Sequence, residues 1–187
     1  ATLLIDPGKQ AAECAQLSFV AAIAAADMLS ALAPHANIRV KWPNDVLAEG
    51  KKIAGILLES ASTGAAPPQW LAIGIGINLK HFPPKTEFPA TSLAALGAEP
   101  PTPRDTLTAL AASFAKWYET WRGRGFAPIR EAWLARAAGL GARIVARLSN
   151  GEATGVFEGL DETGALILRE GHGRTRTIAA GEIFFAS

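Results

Sequence analysis

IRVKWPND, residues 38–45, places a lysine and a tryptophan at the end of a short apolar strand, directly before Pro-Asn-Asp turn chemistry. A strand that ends in such a turn needs a returning partner. The chain supplies candidates at once: a short VLA, a hairpin turn at EGKK (residues 49–52), and a long strand candidate KIAGILLE (52–59). Beyond the loose loop SASTGAAPP comes another, WLAIGIGIN (70–78). The centre of the protein is therefore a sheet built from neighbouring segments, with Lys41 at a strand end.

Side chains alternate along a strand, so Ile73, Ile75 and Ile77 face one way and Gly74, Gly76 and Asn78 the other. By the same alternation Gly55 shares a face with Ile53 and Leu57. Glycine weakens a strand, and two on one face mark a place where another backbone, an overlying helix or a flat ligand comes close. GIGIN is not the phosphate-cradling G-x-G-x-x-G turn, because it reads as strand throughout.

Working outward, Leu17, Val20, Ala21, Ala24, Met28 and Leu32 recur at three- and four-residue steps, which predicts a helix over about 10–33 with one buried face, ended by Pro34. Residues 79–103 are proline-rich and aperiodic, a loop with one short helical turn around SLAAL. Thr102, Pro103 and Asp105 form a helix-starting cap, and Leu107, Leu110, Ala111, Phe114, Trp117, Tyr118 and Trp121 the stripe of the helix that follows. A shorter helix runs from Pro128 to about Ala137 and stops at Gly139. From Ala142 onward the pattern turns to short alternating runs broken by SNG, DETG and EGHG, a small all-β domain. The expected division is 1–139 and 140–187.

Nearly half the residues are apolar, which excludes a disordered chain, and a net charge of +1 provides no basic field for nucleic acid. Cys14 is the sole cysteine, so an internal disulfide and a cysteine-rich zinc site are both excluded and a reducing, cytoplasmic setting fits. The apolar segment 11–33 contains Glu13, Gln16, Asp27 and Ser30 and is too polar for a membrane span. His35, His81 and His172 are dispersed, without metal-ligand spacing.

Taken singly, Lys41 reads as a solvated charge and Trp42 as core. The ordered set KWPND, KKIAGILLE, GIGIN and FPATSL reads differently: it resembles the catalytic domain of the biotin protein ligase (biotin–[acetyl-CoA-carboxylase] ligase) family, and the alanine-rich helix and the tail ending AAGEIFF extend the resemblance over essentially the whole chain. It implies an α/β (α+β) fold, a class II aminoacyl-tRNA-synthetase-like mixed sheet with helices, followed by a small SH3-like β-barrel. It also implies a two-step reaction with ATP, biotin and Mg²⁺: formation of biotinyl-5′-AMP, then transfer to a lysine of a biotin carboxyl carrier protein.

In that scheme Lys41 is the catalytic cation, Gly55, Gly74, Gly76, Ile77 and Asn78 border the substrate or nucleotide, and Trp42, Asn44 and Asp45 support the turn that aims the lysine. No protein metal site is expected, since Mg²⁺ would be held mainly by ATP phosphates. A glycine- and arginine-rich loop of the GRGRRGR type, which the family carries upstream, does not occur in these 187 residues, nor does a helix-turn-helix. The expectation is that material is missing upstream, that this chain alone has low activity, that no nucleic acid binding is assigned to it, and that it binds no membrane. A homodimer is among the assemblies the resemblance allows. Two other readings stay open: a catalytically silent biotin- or nucleotide-binding or interaction module of the same fold, and a lipoate- or octanoate-type ligase or transferase.

Overall fold

The computed structural model describes residues 1–61 and 67–185, so most of the SASTGAAPP loop lies outside the described residues. The chain forms β1 (Thr2–Ile5), α1 (Ala11–Cys14), α2 (Leu17–Leu32), β2 (Ile38–Lys41), β3 (Asp45–Ala48), β4 (Lys51–Ala61), β5 (Trp70–Ile77), α3 (Pro103–Arg124) and α4 (Ala127–Leu134). Five further strands follow: β6 (Arg143–Leu148), β7 (Gly151–Leu160), β8 (Leu166–Arg169), β9 (Thr175–Ile178) and β10 (Glu182–Phe185). The first sheet has the order β1-β5-β4-β3-β2 and the second β10-β6-β7-β8-β9. Their ladders are antiparallel, and among the described residues parallel pairing is confined to the isolated bridges Val40–Ala137 and Lys52–Ala90.

Helix α2 departs from the expectation of a single buried face. Leu17, Phe19 to Ala26, Met28 and Leu29 are all buried, because the helix crosses one face of the first sheet while α3 and α4 pack on its other sides. Alanine makes this possible: short side chains let neighbours close in from several directions. Helix α3 starts as its cap requires, with the Asp105 amide donating to Thr102 Oγ1 at 3.2 Å and that hydroxyl donating to Asp105 Oδ2 at 2.7 Å. Its stripe is narrower than the periodicity suggests, since Leu107 faces solvent while Leu110, Phe114 and Trp121 are buried. Asp27 ties the helices together by accepting from Trp117 Nε1 and Arg136, each at 2.8 Å. Cys14 is buried, with its Sγ 3.4 Å from the Lys9 carbonyl, and burial pushes its thiol pKa up, away from the reactive thiolate.

The two sheets share one apolar core. Trp133 of α4, fully buried, packs edge-on against Phe19 of α2 and Phe157 of β7, with ring centroids 5.5 and 6.4 Å apart. Trp42 adds a polar tie by donating its Nε1 proton to the Gly164 carbonyl at 3.1 Å. The turn presenting that carbonyl is organised by Asp161, which accepts from Thr163 and from the Ala165 amide. Burial raises the Asp161 carboxyl pKa, but the hydrogen bonds from Thr163, Ala165 and Gly164 outweigh it and hold the group below its usual value. Gly164 has φ +94°, and a Cβ there would meet a Phe19 ring carbon at 2.7 Å, so glycine is required twice over.

Trp42→Phe keeps the apolar bulk but leaves the buried Gly164 carbonyl without its donor. It is expected to destabilise the protein by about 1–2 kcal/mol, read as a lower midpoint in a thermal or urea melt. An unchanged midpoint would show that the tie between Trp42 and the β7–β8 turn contributes nothing.

Candidate functional site

Strand pairing places four sequence-distant residues in one row. Lys41 of β2 faces Asp45 of β3 across the Trp-Pro-Asn turn, Asp45 faces Gly55 of β4, and Gly55 faces Gly76 of β5. Directly opposed residues share a face of the sheet, so the row reads cation, carboxylate, bare backbone, bare backbone. A second row sets Leu57 against Gly74 and Gly74 against Thr2. This face lies opposite the one on which α2 packs, where Ile73 and Ile75 are buried.

Alternation holds for β5 and fails at one residue of β4. The pairing of β3 with β4 shifts so that Val46 opposes Ala54 while Leu47 opposes Lys52, leaving Ile53 without a partner. The bulge turns Ile53 into the core, where it is fully buried, and leaves Gly55 with the 60 % exposed Leu57 on the open face. Ile53 therefore does not share Gly55's face as simple alternation predicts.

Over the glycines lies a cleft of about 600 Å³, bounded on its far side by the loop that follows β5 and by the start of β10. Gly55, Gly76, Ile77 and Asn78 line it from the sheet, Thr86, Glu87 and Phe88 from the loop, and Glu182 from the second sheet. Gly74 belongs to the same face but is not among the lining residues. The loop is pinned down by Asn78, whose side-chain amide donates to the Thr91 carbonyl at 2.9 Å, and by Lys52, whose N–H donates to Pro89 and whose carbonyl accepts from Thr91. Asn78 is thus at the cleft, as its place in GIGIN suggests, with its Nδ2 already engaged by the loop. Glu87 extends the anchoring to the second sheet through an ion pair with Arg147 at 2.8 Å. The Arg147 guanidinium lies 4.4 Å from the Phe184 ring centroid.

Lys41 is not a solvated charge. Its side chain is fully buried, with Nζ 3.5 Å from Asp45 Oδ2 and 3.6 Å from Glu182 Oε1, and it lies 4.5 Å from the centroid of the Phe88 ring. Asp45, itself buried, serves two lysines, because its Oδ1 is 2.5 Å from Lys52 Nζ. Its role therefore differs from the turn-holding expected of it. That role falls to Asn44, whose side chain donates to the Ile56 carbonyl at 2.7 Å and whose carbonyl accepts from the Ile56 amide at 2.9 Å. Trp42 is buried core and reaches the second sheet.

Three residues at the site escape the sequence reading. Lys52 sits in the Lys-Lys pair of EGKK, which reads as a solvated hairpin turn; Phe88 lies in an aperiodic loop; Glu182 is 141 residues from Lys41 in sequence. The segments FPATSL, KKIAGILLE and AAGEIFF, which carry the family resemblance, contain Phe88, Lys52 and Glu182, but nothing in them shows that the three meet at Lys41.

Comparison with known proteins places the whole chain. Residues 1–135 match the family model of the Biotin/lipoate A/B protein ligase family, and residues 139–186 that of the Biotin protein ligase C terminal domain. A biotin–[acetyl-CoA-carboxylase] ligase of Paracoccus denitrificans is 47% identical over 190 residues, spanning 98% of this chain and 78% of that protein. The bifunctional ligase/repressor BirA of Bacillus subtilis is 31% identical over 185 residues, spanning 96% of this chain and 56% of the relative. In fold, the chain resembles the biotin protein ligase from Aquifex aeolicus solved in complex with biotin and ATP, with a TM-score of 0.81, 23% identity, and coverage of 99% of this chain and 76% of that one.

Proposed function

This chain belongs to the biotin/lipoate A/B protein ligase family, and we infer that it is an ATP-dependent biotin protein ligase that activates biotin and transfers it to a carrier protein. The observation that carries this reading is the 47% identity over nearly the whole chain to a biotin–[acetyl-CoA-carboxylase] ligase. The site fits the chemistry. A bare glycine face beneath a cleft accepts a flat ligand, and cations beside it oppose the charge that such a reaction concentrates.

In the first step the biotin carboxylate attacks the α-phosphate of ATP, a P–O bond to pyrophosphate breaks, and biotinyl-5′-AMP forms. Two anions must approach, so a fixed cation both lowers repulsion and stabilises charge developing in the transition state. Lys41 suits this role by position, at the head of the row that leads to the glycines. Its present partner on the cleft side, Glu182, is half exposed and held at 3.6 Å. An incoming phosphate would repel that carboxylate and take its place on the ammonium. In the second step a lysine amine of the carrier attacks the acyl carbon and AMP leaves.

Mg²⁺ would enter with the nucleotide. Oxygen donors suit it, and the ATP phosphates would supply them, because the carboxylates of the cleft wall, Glu87 and Glu182, are paired with Arg147 and Lys41. The acceptor we propose is the biotin carboxyl carrier protein of acetyl-CoA carboxylase. We further propose a cytoplasmic setting, in keeping with the single buried thiol, and a homodimer, for which edge strand β1 is suited because among the described residues it pairs only with β5.

The test is biotinylation of a carrier domain with ATP and Mg²⁺, with octanoate and lipoate present as competitors. Labelling of the carrier lysine by biotin is expected. Preferential use of either competitor would overturn the biotin assignment, and biotin binding without pyrophosphate release would point to a silent binding module.

A further inference from the structure

The loop between β5 and α3 leaves and rejoins the sheet at one place. Ser92 Oγ donates to the Lys80 carbonyl at 3.1 Å, and the Leu93 and Ala94 amides donate to the Asn78 and Leu79 carbonyls at 3.1 and 3.0 Å. From this pinned base the segment KHFPPK, residues 80–85, stands exposed beside the cleft, with Phe82 41 % exposed and two prolines stiffening the backbone behind it. A groove of about 380 Å³ lies between Lys51 of β4 and Phe82, Pro83 and Pro84. It abuts the catalytic cleft, since Pro83, Thr86 and Ala90 line both.

The rim of this groove is cationic and unneutralised. Lys51, Lys80, His81 and Lys85 are exposed, and among the described residues none has a carboxylate within 4 Å. Glu87, the acid nearest to them along the loop, is held by Arg147. The chain as a whole carries only +1, so the excess is local to this rim. None of these four residues lines the catalytic cleft, and neither does Phe82, so the small substrates leave them free. A protein that delivers an amine into the same cleft must instead cover its rim.

We propose that Lys51, Lys80, Lys85 and Phe82 form the docking surface for the acceptor protein, and that this protein presents its target lysine among carboxylates beside an apolar residue. The charge decides the partner: a rim of free ammonium groups repels a lysine-bearing surface unless acids surround that lysine, and it draws in a surface on which they do. Phe82 supplies the apolar anchor at the centre of the charged rim. The inference rests on the reading of the protein as a ligase that transfers biotin to a carrier, and it names where the carrier sits.

The test compares the wild-type chain with a triple variant, Lys51→Glu, Lys80→Glu and Lys85→Glu, and separately with Phe82→Ser. All four positions are exposed, so both proteins should melt near the wild type. A biotin carboxyl carrier domain is the acceptor, and hydroxylamine, too small to touch the rim, is the control nucleophile. The triple variant is expected to raise the KM for the carrier roughly tenfold or more and to abolish the rise of that KM with added salt that the wild type shows. Phe82→Ser should raise it about fivefold. Pyrophosphate release without carrier, and acyl transfer to hydroxylamine, should stay within about twofold of the wild type in both. A carrier KM within about twofold of the wild type in the triple variant would overturn the proposal, as would an equal loss of transfer to carrier and to hydroxylamine. Absence of carrier biotinylation by the wild-type protein would instead overturn the ligase reading itself.

Discussion

Gly76→Val is expected to leave the protein folded, with a thermal midpoint equal to or above that of the wild type, and to lower ligand affinity at least tenfold. The stability half of the expectation follows from local geometry. A Cβ at Gly76 would have the Gly55 carbonyl oxygen as its nearest neighbour at 3.9 Å, an ordinary contact, and the residue has no left-handed backbone requirement. Valine also favours strands, where a β-branched side chain packs on the pleat and glycine carries an entropy cost.

The functional half follows from the direction of the new side chain. It would project from the open face into the cleft between Gly55 and the loop, where a flat ligand must lie. A tenfold loss corresponds to about 1.4 kcal/mol, less than the cost of forcing one or two methyl groups into a filled site. Gly55→Val would be the poorer probe, because its side chain would press on Lys52 Cε and on Asp45 and would disturb the charges along with the space. Binding measured by calorimetry beside a melt decides the matter. Affinity retained by a stable Gly76→Val protein would place the ligand away from the glycine face.

How much of this site could be read from sequence depends on how far apart its members lie. The β2–turn–β3–β4–β5 ladder was legible because successive segments pair with their neighbours, and the alternation of isoleucine with glycine in WLAIGIGIN gave both faces of β5 directly. The cap of α3 was legible because its donors and acceptors are three residues apart. The bulge at Ile53 was not, since one unpaired residue leaves no trace in an apolar run. Nor was the environment of Lys41: Phe88 and Glu182 reach it from a loop and from the second sheet, and composition gives no hint that either would. The burial of α2 is illegible for a related reason, because alanine marks no face and only the packing of α3, α4 and the sheet decides which sides close.

The environment of Lys41 changes what its removal should do. A lysine at an exposed strand end could be replaced with little effect on stability, by at most about 0.5 kcal/mol. In the folded protein it is buried between Asp45 and Glu182, and loss of one member of a buried ion pair leaves the other uncompensated, commonly at about 3–5 kcal/mol. Two features moderate that cost here: Asp45 keeps Lys52 as a partner, and Glu182 is half exposed and can turn to water. Lys41→Ala is therefore expected to lower stability by roughly 1–3 kcal/mol and adenylation by about a hundredfold, the loss of one preorganised donor at a developing charge. Lys41→Met separates the two effects, because its unbranched apolar chain preserves packing beneath Phe88 without the ammonium. It should melt nearer the wild type and be just as slow. Lys41→Arg should recover only part of the rate, since a planar fork replaces a compact ammonium in a fully enclosed space. Pyrophosphate release, measured beside a thermal melt, reads both quantities. Release near the wild-type rate from a folded Lys41→Met protein would reduce Lys41 to a structural ion pair and leave the cleft's chemistry to Lys52.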